Sequence, residues 1–430
     1  MNKLSLYLLW ITLILSAIVL FKEELIQSTP VENSASRVAN ISTQAVSQLN
    51  ESGLRYFQAQ QYELAKNQFE AALKLSPDDP TLLSNLSQTY FKLGQNKGDK
   101  GEFNEAIALF QEAIKINPDI SIFHLATGWA FSKSDQDDRA INELEAAIKL
   151  DPKGSEAYQI LGEIYEKQDS PEKAIEILEK ALSFHPDNDS LKSQIAKLKT
   201  DNNLESHFEK SSSSHFIIKF EGEEKKDIAQ IVSDDLDEAY HEIGGIFYEK
   251  SLHPVIVILY SDKSFRENVH SPNWAGGIYD GKIRIPVRGS NQELTSLKRL
   301  LFHEYTHAVL YQISPFPIPT WLNEGLAIYF EGDNRESRLA LRVEEARKKG
   351  SLIPLHELQG SFMEMDSASS ELAYGESKEA VQILINRYSI RRLRDLVDQY
   401  KGMSSFPSVF EQVFLIPFGE FEKAYLQGTM

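Results

Sequence analysis

The sequence predicts a multidomain protein with an N-terminal transmembrane helix, an all-α solenoid of helical repeats and a C-terminal α+β domain. Three observations lead to this prediction. The chain has 430 residues, well above the roughly 150 residues of a typical single domain. Alanines and prolines recur at a fixed interval in its first half. In the second half, strand-like runs come first and helical runs follow, which is the order expected of an α+β domain.

Composition excludes several classes of protein. The chain has 63 acidic and 45 basic residues, and its net charge of -18 argues against a nucleic acid partner because like charges repel. It contains no cysteine, which excludes disulfides, cysteine-based zinc fingers, iron–sulfur clusters and thiol nucleophiles. Any metal site must therefore be built from histidine, aspartate and glutamate.

Residues 1–21 are predicted to form a transmembrane signal anchor. No charged residue occurs from Leu4 to Phe21, and a helix of this length spans roughly 27 Å, close to the thickness of a bilayer core. Lys3 precedes the apolar run, so the positive-inside rule places the N-terminus in the cytoplasm and the body outside it, periplasmic or extracellular. A cleaved signal peptide is the alternative, although the run ends without a small-residue cleavage site. Residues 22–45 are predicted to be a polar tether.

An internal repeat occupies residues 46–200. Four short phrases align on alanines that lie 41, 34 and 34 residues apart, namely Ala65, Ala106, Ala140 and Ala174. The prolines that follow show the same spacing, namely Pro77, Pro118, Pro152 and Pro186. The surplus of seven residues in the first interval falls at residues 94–101, where we expect it to lengthen the turn between the two helices of the second repeat.

This period, with a small residue at the helix crossing and a proline after the second helix, resembles the tetratricopeptide repeat. The resemblance implies four helical pairs that stack into a short solenoid, whose concave side binds a protein or peptide partner. Residues 187–200 are predicted to form a capping helix over the last repeat. A spacer or a dimerisation surface is the alternative interpretation of the array, because a fold alone does not fix function.

A linker is predicted over residues 201–214 and an α+β domain over residues 215–430. Its predicted elements are a strand at 215–220, a long helix at 223–250, a buried strand at 255–259, a hairpin or kink at the Asp-Gly turn within 277–287, and helices from residue 291 onward.

The segment His303–His307 has the pattern HExxH inside an apolar helical stretch. The two histidines lie one turn apart on one helix face, where both imidazoles can bind one zinc ion, and Glu304 lies beside them where it can act on the metal's water. Glu324 lies 17 residues past His307 at the start of a new helix, after a proline-rich loop. A carboxylate returning on an adjacent helix completes a His2Glu site for one Zn²⁺ per chain.

HExxH followed by the phrase Trp321–Ala327 resembles the gluzincin metallopeptidases, specifically the peptidase-MA-like domains, over roughly residues 254–390. The resemblance implies a zincin-like fold that hydrolyses peptide bonds, with His303, His307 and Glu324 as zinc ligands and Glu304 as the general base that activates the zinc-bound water. In related zincins a strand before the active helix borders the cleft and pairs with extended substrate. We expect residues 276–287 to be that strand, or else an ordinary edge strand.

Tyr374 and Ser377 look like the Tyr-x-x-Ser element of the same family. The resemblance implies that Tyr374 donates a hydrogen bond to a developing oxyanion and that Ser377 has a structural role. An aromatic residue packed in the core is the alternative for Tyr374.

One position departs from the family pattern. Members commonly carry an acidic residue four positions after the ligand glutamate, where it receives the free N–H of a ligand histidine, and here that residue is Ile328. Asn323, Glu331 or a backbone carbonyl are the candidate substitutes. The departure keeps open a second function, that of a non-catalytic, membrane-tethered adaptor with a structural or degenerate zinc site.

Overall fold

The computed structural model describes residues 32–222, 226–247, 254–269, 276–287, 291–314, 317–332, 336–362, 365–400 and 405–429. The chain divides into two compact units. The first contains the described residues up to Leu93 together with Gln111–Pro118, and the second contains Gly94–Phe110 and the chain from Asp119 onward. The predicted anchor at residues 1–21 lies outside the described residues. None of the helices that the structure describes combines the length and apolar character needed to cross a bilayer.

The first half of the described chain is helical, in agreement with the predicted all-α repeat array. Its paired helices are α1 (Glu32–Gln58) with α2 (Tyr62–Leu75), α3 (Pro80–Asp99) with α4 (Phe103–Ile116), α5 (Ser121–Lys133) with α6 (Asp137–Leu150), and α7 (Ser155–Lys167) with α8 (Pro171–Phe184). A further helix, α9 (Asp189–Glu205), follows the last pair. Leu191, Ile195 and Leu198 on α9 are buried against Leu178 and its neighbours on α8, as expected of a capping helix.

Small residues at the helix crossings explain the period of the repeat. The four aligned alanines are all fully buried. A set of glycines on the first helix of each pair shows the same 41, 34 and 34 spacing, namely Gly53, Gly94, Gly128 and Gly162. In each pair a side chain at the glycine would collide with a phenylalanine or leucine of the second helix, as at Gly128, where a Cβ would lie 2.7 Å from Leu144 Cγ. The repeat therefore preserves a close approach of two helices.

The surplus of seven residues lengthens a helix, and the predicted longer turn at residues 94–101 was wrong. Helix α3 has 20 residues, whereas α5 and α7 have 13 each. Seven residues are close to two turns at 3.6 residues per turn, so the insertion returns the chain to the same helix face. The first helix of the array also differs from the prediction: α1 begins at Glu32, inside the stretch of residues 22–45 that was predicted to be a polar tether.

The second half is built on a five-stranded mixed sheet. Its elements are β1 (Glu209–Ser212), β2 (Phe216–Phe220), α10 (Lys226–Ala239), a π-helical turn (Tyr240–Gly244) with a short helical turn (Gly245–Phe247), β3 (Val255–Ser261), α11 (Asp262–Asn268), β4 (Ile278–Tyr279) and β5 (Ile283–Val287). The strand order is β1-β2-β3-β5-β4, with β1 and β4 antiparallel to their neighbours and the three central strands parallel.

The helices that follow are α12 (Asn291–Ile313), α13 (Thr320–Glu331), α14 (Glu336–Lys349), α15 (Ser367–Tyr388), α16 (Ile390–Gln399), α17 (Phe406–Phe414) and α18 (Phe418–Gln427). One face of the sheet packs against these helices in a single large core, which contains Val257, Leu259, Ile283 and Ile285 from the strands and Leu301 and Trp321 from the helices. Apolar burial of this extent is the main force that fixes α12 and α13 against the sheet.

Two local predictions differ from the structure. The stretch predicted as a linker, residues 201–214, holds the end of α9 and strand β1, because the main chain of Glu209–Ser212 pairs with β2. The helix predicted over 223–250 is regular only in α10 and then widens into the π-helical turn. The Asp-Gly turn does form a hairpin, in which β4 and β5 are antiparallel and Gly281 has a φ of +99° that favours glycine.

Candidate metal centre

Helix α12 presents His303 and His307 to a cleft because its other faces are held in the core. Leu301, Ala308 and Val309 are fully buried, while the side chains of His303 and His307 retain 14% and 13% of their exposure. The two imidazole rings lie 4.8 Å apart between centroids. Residues four apart on one helix face are neighbours, which is why the HExxH spacing brings these rings together.

Helix α13 brings Glu324 to the same place. Trp321 and Leu322 are fully buried and fix one face of the helix in the core, which turns Asn323 and Glu324 towards the cleft. Gly325 lies against α15, where a Cβ would collide with the carbonyl oxygen of Ser377. The Trp-Leu-Asn-Glu-Gly phrase therefore combines an apolar anchor, two polar side chains for the site and a glycine that permits close helix packing.

The three side chains converge on one point. One ligand atom from each of His303, His307 and Glu324 lies within 4.8 Å of the other two. Glu324 Oε2 lies 3.6 Å from Nε2 of His303 and 3.6 Å from Nε2 of His307. Ligands about 2.1 Å from a tetrahedral zinc ion are about 3.4 Å from each other, so these separations fit zinc.

The remaining nitrogen of each imidazole has an acceptor. Nδ1 of His303 lies 3.1 Å from Oε2 of Glu331, and Nδ1 of His307 lies 3.1 Å from Oδ1 of Asn323. Acceptors at these positions keep a proton on Nδ1 of each ring, which makes Nε2 the nitrogen that can bind a metal. Two of the candidate substitutes for the acidic residue missing at Ile328 thus contact the histidines, one each.

Glu304 is buried beside His303, His307 and Glu324, with 5% of its surface exposed. Burial raises the pKa of its carboxyl group, and the neighbouring His303 and His307 oppose this shift. Burial also acts to raise the pKa of Glu324, but His307 and His303 outweigh it and hold the pKa of that carboxyl below its usual range. The two carboxylates therefore differ in environment: Glu324 is the more readily ionised and Glu304 the better proton acceptor.

His303, His307, Glu304 and Glu324 line a cleft of about 960 Å³. The main chain at Gly277, just before β4, forms part of its wall, and a Cβ at Gly277 would lie 3.3 Å from Glu304 Oε1. Tyr374 on α15 lines the same cleft, with its ring edge against Phe362. Ser377 is fully buried and its hydroxyl donates to the carbonyl of Ala373 at 2.7 Å.

Sequence reasoning missed two features around this cleft. Tyr311 follows His307 by one helical turn, is 70% exposed, and meets Tyr279 of β4 edge to face at 5.8 Å. Arg284 lies in the middle of β5 and is buried among acidic groups. The signal for Arg284 was present in the sequence, because a charge between Ile283 and Ile285 interrupts an otherwise apolar strand.

Comparison with known families separates the repeats in the first half of the chain from the domain that carries the candidate metal centre. Residues 242–426 match the family model of the Peptidase MA superfamily. Residues 53–94, 87–120 and 131–198 match models of the tetratricopeptide repeat. The search of curated proteins found no match.

Three solved structures illustrate the likeness of the repeats. YrrB, a TPR protein described as having an unusual peptide-binding site, is 25% identical over 36% of this chain and 76% of its own, with a TM-score of 0.28. MamA of Desulfovibrio magneticus is 20% identical over 34% of this chain and 77% of its own, with a TM-score of 0.27. A TPR protein of Thermus thermophilus is 21% identical over 36% of this chain and 98% of its own, with a TM-score of 0.23. The family models thus match a tetratricopeptide repeat array within residues 53–198, followed by a domain similar to the Peptidase MA superfamily over residues 242–426.

Proposed function

We propose that the protein is a zinc metallopeptidase that hydrolyses peptide bonds in an open cleft. The observation that carries this proposal is the convergence of His303, His307 and Glu324 beside the buried carboxyl of Glu304. Two imidazoles, one carboxylate and a nearby general base are the groups that this chemistry requires. The match to the Peptidase MA superfamily supports the same reaction class.

His303, His307 and Glu324 would hold the ion, which supplies Lewis acidity to a water molecule and to the substrate carbonyl. Glu304 then accepts the proton of the attacking water and passes it to the leaving amine. Its burial suits this task, because a carboxylate in an apolar setting binds a proton more strongly than one in water. Tyr374 would donate a hydrogen bond to the oxyanion that develops on the substrate.

Substituting Glu304 by Gln tests this mechanism. We expect Glu304→Gln to lower hydrolysis of an unfolded protein such as casein by at least a hundredfold, because it removes the general base. Zinc content should stay at the wild-type level, since no metal ligand is changed. Glu420→Gln, an exposed glutamate on α18, is the matched control and should leave both quantities unchanged.

Full activity in Glu304→Gln would contradict the mechanism.

An adaptor with a structural zinc site is the second candidate, and the replacement of the usual acid by Ile328 was the observation in its favour. The contacts of Glu331 and Asn323 with the histidines weaken that argument. A wild-type protein that binds zinc but cleaves no unfolded protein or peptide would favour the adaptor.

The repeat array would bind a protein or peptide, either the substrate or a partner. The matches to tetratricopeptide repeats support this role. Joining such an array to a peptidase raises the effective concentration of a docked chain at the cleft. Binding of casein to the Glu304→Gln protein after zinc has been removed by a chelator tests the idea. Binding that vanishes with the metal would assign recognition to the cleft alone.

Membrane anchoring through residues 1–21, with the body periplasmic or extracellular, is the remaining part of the proposal. The uncharged run after Lys3 and the acidic residues after it support this orientation. Protease added outside intact cells or spheroplasts should digest the body. Protection of the body, together with its release into the soluble fraction on lysis, would contradict anchoring.

A further inference from the structure

A buried cluster of charged and polar side chains joins the capping helix α9 to the sheet. Its members are Asp201 and Glu205 from α9, Tyr260 from β3, Asp280 and Lys282 from the hairpin turn, and Arg284 from β5. The Arg284 and Glu205 side chains are 4% and 3% exposed. Charges this deeply buried need partners, because each loses its hydration shell.

Arg284 is the residue that touches most of this cluster. Its Nη2 donates to Asp201 Oδ2 at 2.7 Å, and its Nη1 donates to Glu205 Oε1 at 3.1 Å and to the Tyr260 hydroxyl at 2.6 Å. Its Nε donates to the two oxygens of Asp280 at 3.1 and 3.3 Å. The planar guanidinium fixes the directions of all these bonds, which an ammonium group does not.

The acidic side of the cluster is balanced by lysines. Glu205 Oε2 also lies 3.2 Å from Lys219 Nζ and 3.3 Å from Lys282 Nζ, and Asp280 pairs with Lys197 at 2.7 Å. Burial opposes the charge of Arg284, but the carboxylates around it hold its pKa above the usual range. Arg284 therefore stays charged beside these carboxylates.

The strand next to Arg284 forms the wall of the cleft. Arg284 is the β-sheet partner of Ile278, and its carbonyl oxygen lies 3.3 Å from the position of a Cβ on Gly277. Gly277, Ile278 and Tyr279 line the cleft. Strand β4 has only two residues and pairs with no strand other than β5 among those that the structure describes. A strand this short needs support from outside its own hydrogen bonds.

We infer that Arg284 is a positioning residue that fixes the cleft strand β4 by bonding its hairpin to the capping helix α9. Helix α9 thus packs its apolar face against the repeat array and bonds to the second domain through Asp201 and Glu205. Buried ion networks contribute little to stability compared with apolar packing of the same volume, but their directional bonds select one arrangement. A role of strand β4 in binding substrate rests on the proposed function, whereas the fixing of β4 by Arg284 does not.

Hydrogen exchange in the full chain tests the inference without requiring activity. In Arg284→Met we expect the amides of residues 276–287 to exchange about tenfold faster or more, at a temperature well below unfolding, while amides of α15 stay protected. The matched control is Arg347→Met, which removes a second paired arginine that bonds Glu379 and lies outside the hairpin. It should leave exchange in residues 276–287 unchanged.

A kinetic measurement separates positioning from a general structural role. With casein as substrate, Arg284→Met should raise KM several-fold, with kcat and zinc content near the wild-type values. The reason is that strand β4 in the cleft wall moves, while Glu304 and the proposed metal ligands stay in place. Asp201→Ala, which removes one acceptor of Arg284, should produce the same pattern with smaller amplitude, and it remains informative where Arg284→Met does not fold.

Unchanged exchange in residues 276–287, or faster exchange spread evenly over the second unit, would overturn the inference. A protein that cleaves no substrate would contradict the proposed function but would leave the exchange result able to decide the role of Arg284.

Discussion

The partners of the histidines are the residues on which the metal site most depends beyond its three proposed ligands. Glu331 and Asn323 accept from His303 and His307 and thereby orient both rings. The HExxH and Trp-Leu-Asn-Glu-Gly phrases predicted the ligands, and Asn323, Glu331 or a backbone carbonyl was expected to replace the acid missing at Ile328. The phrases could not show which residue meets which histidine, because that depends on the rotation of α13 against α12.

Removing these acceptors should weaken zinc binding. We expect Glu331→Ala and Asn323→Ala each to lower zinc affinity by about tenfold to a hundredfold, since an unsupported imidazole is a weaker and less ordered ligand. Competition with a chromogenic chelator measures the affinity. Glu357→Ala, at an exposed glutamate outside the cleft, serves as the control. Wild-type affinity in both acceptor variants would show that the contacts do not support the site.

Glu376 on α15 is another buried carboxyl group. It is fully buried, accepts the N–H of Ile353 at 2.9 Å, and faces Glu379, Arg347 and Tyr425. Burial raises its pKa to about 7. An acid whose pKa is raised on folding binds more protons in the folded state, so its contribution to stability falls as pH rises from about 4.5 to 7.

Glu376→Gln should therefore stabilise the protein at pH 8, by about 1–3 kcal/mol, because it removes a buried negative charge. The difference from wild type should shrink as pH falls and vanish below about pH 3.5, where the carboxyl is protonated in both folded and unfolded chains. Thermal unfolding across this pH range measures it. A difference that does not change with pH would contradict a raised pKa for Glu376.

At the scale of elements, the site depends on how closely α13 and α15 approach each other. Gly325 permits this approach, because a Cβ there would collide with the Ser377 carbonyl and lie 2.6 Å from Val381 Cγ2. Sequence patterns predicted the two helices, and the Asp-Gly turn predicted the β4–β5 hairpin. They did not predict the lengthened α3 or the π-helical turn after α10, since both depend on packing against neighbouring elements.

Gly325→Ala should destabilise the protein by at least about 1 kcal/mol, because overpacking forces the two helices apart. The same shift should lower zinc affinity, since it moves Glu324 relative to α12. Gly360→Ala, at a glycine with open space around its Cβ position, is the control and should change neither quantity appreciably. Equal unfolding temperatures for Gly325→Ala and wild type would show that the contact is not tight.

At the scale of the molecule, helix α9 contacts both the repeat array and the domain that carries the proposed metal site. The 34-residue period and HExxH were each readable from local sequence, because each is a short pattern with a fixed spacing. The sharing of α9 was not readable, because Asp201 and Glu205 meet Arg284 only after the sheet has formed, about 80 residues further along the chain.

Metal content shows whether His303, His307 and Glu324 bind zinc. We expect one zinc ion per chain by plasma mass spectrometry of the purified protein, with most of it lost in Glu324→Ala and all of it retained in Glu304→Gln. Glu324→Ala removes one of three proposed ligands, whereas Glu304→Gln removes none. Zinc absent from the wild-type protein even after reconstitution, or equal zinc in wild type and Glu324→Ala, would contradict the site proposed for His303, His307 and Glu324.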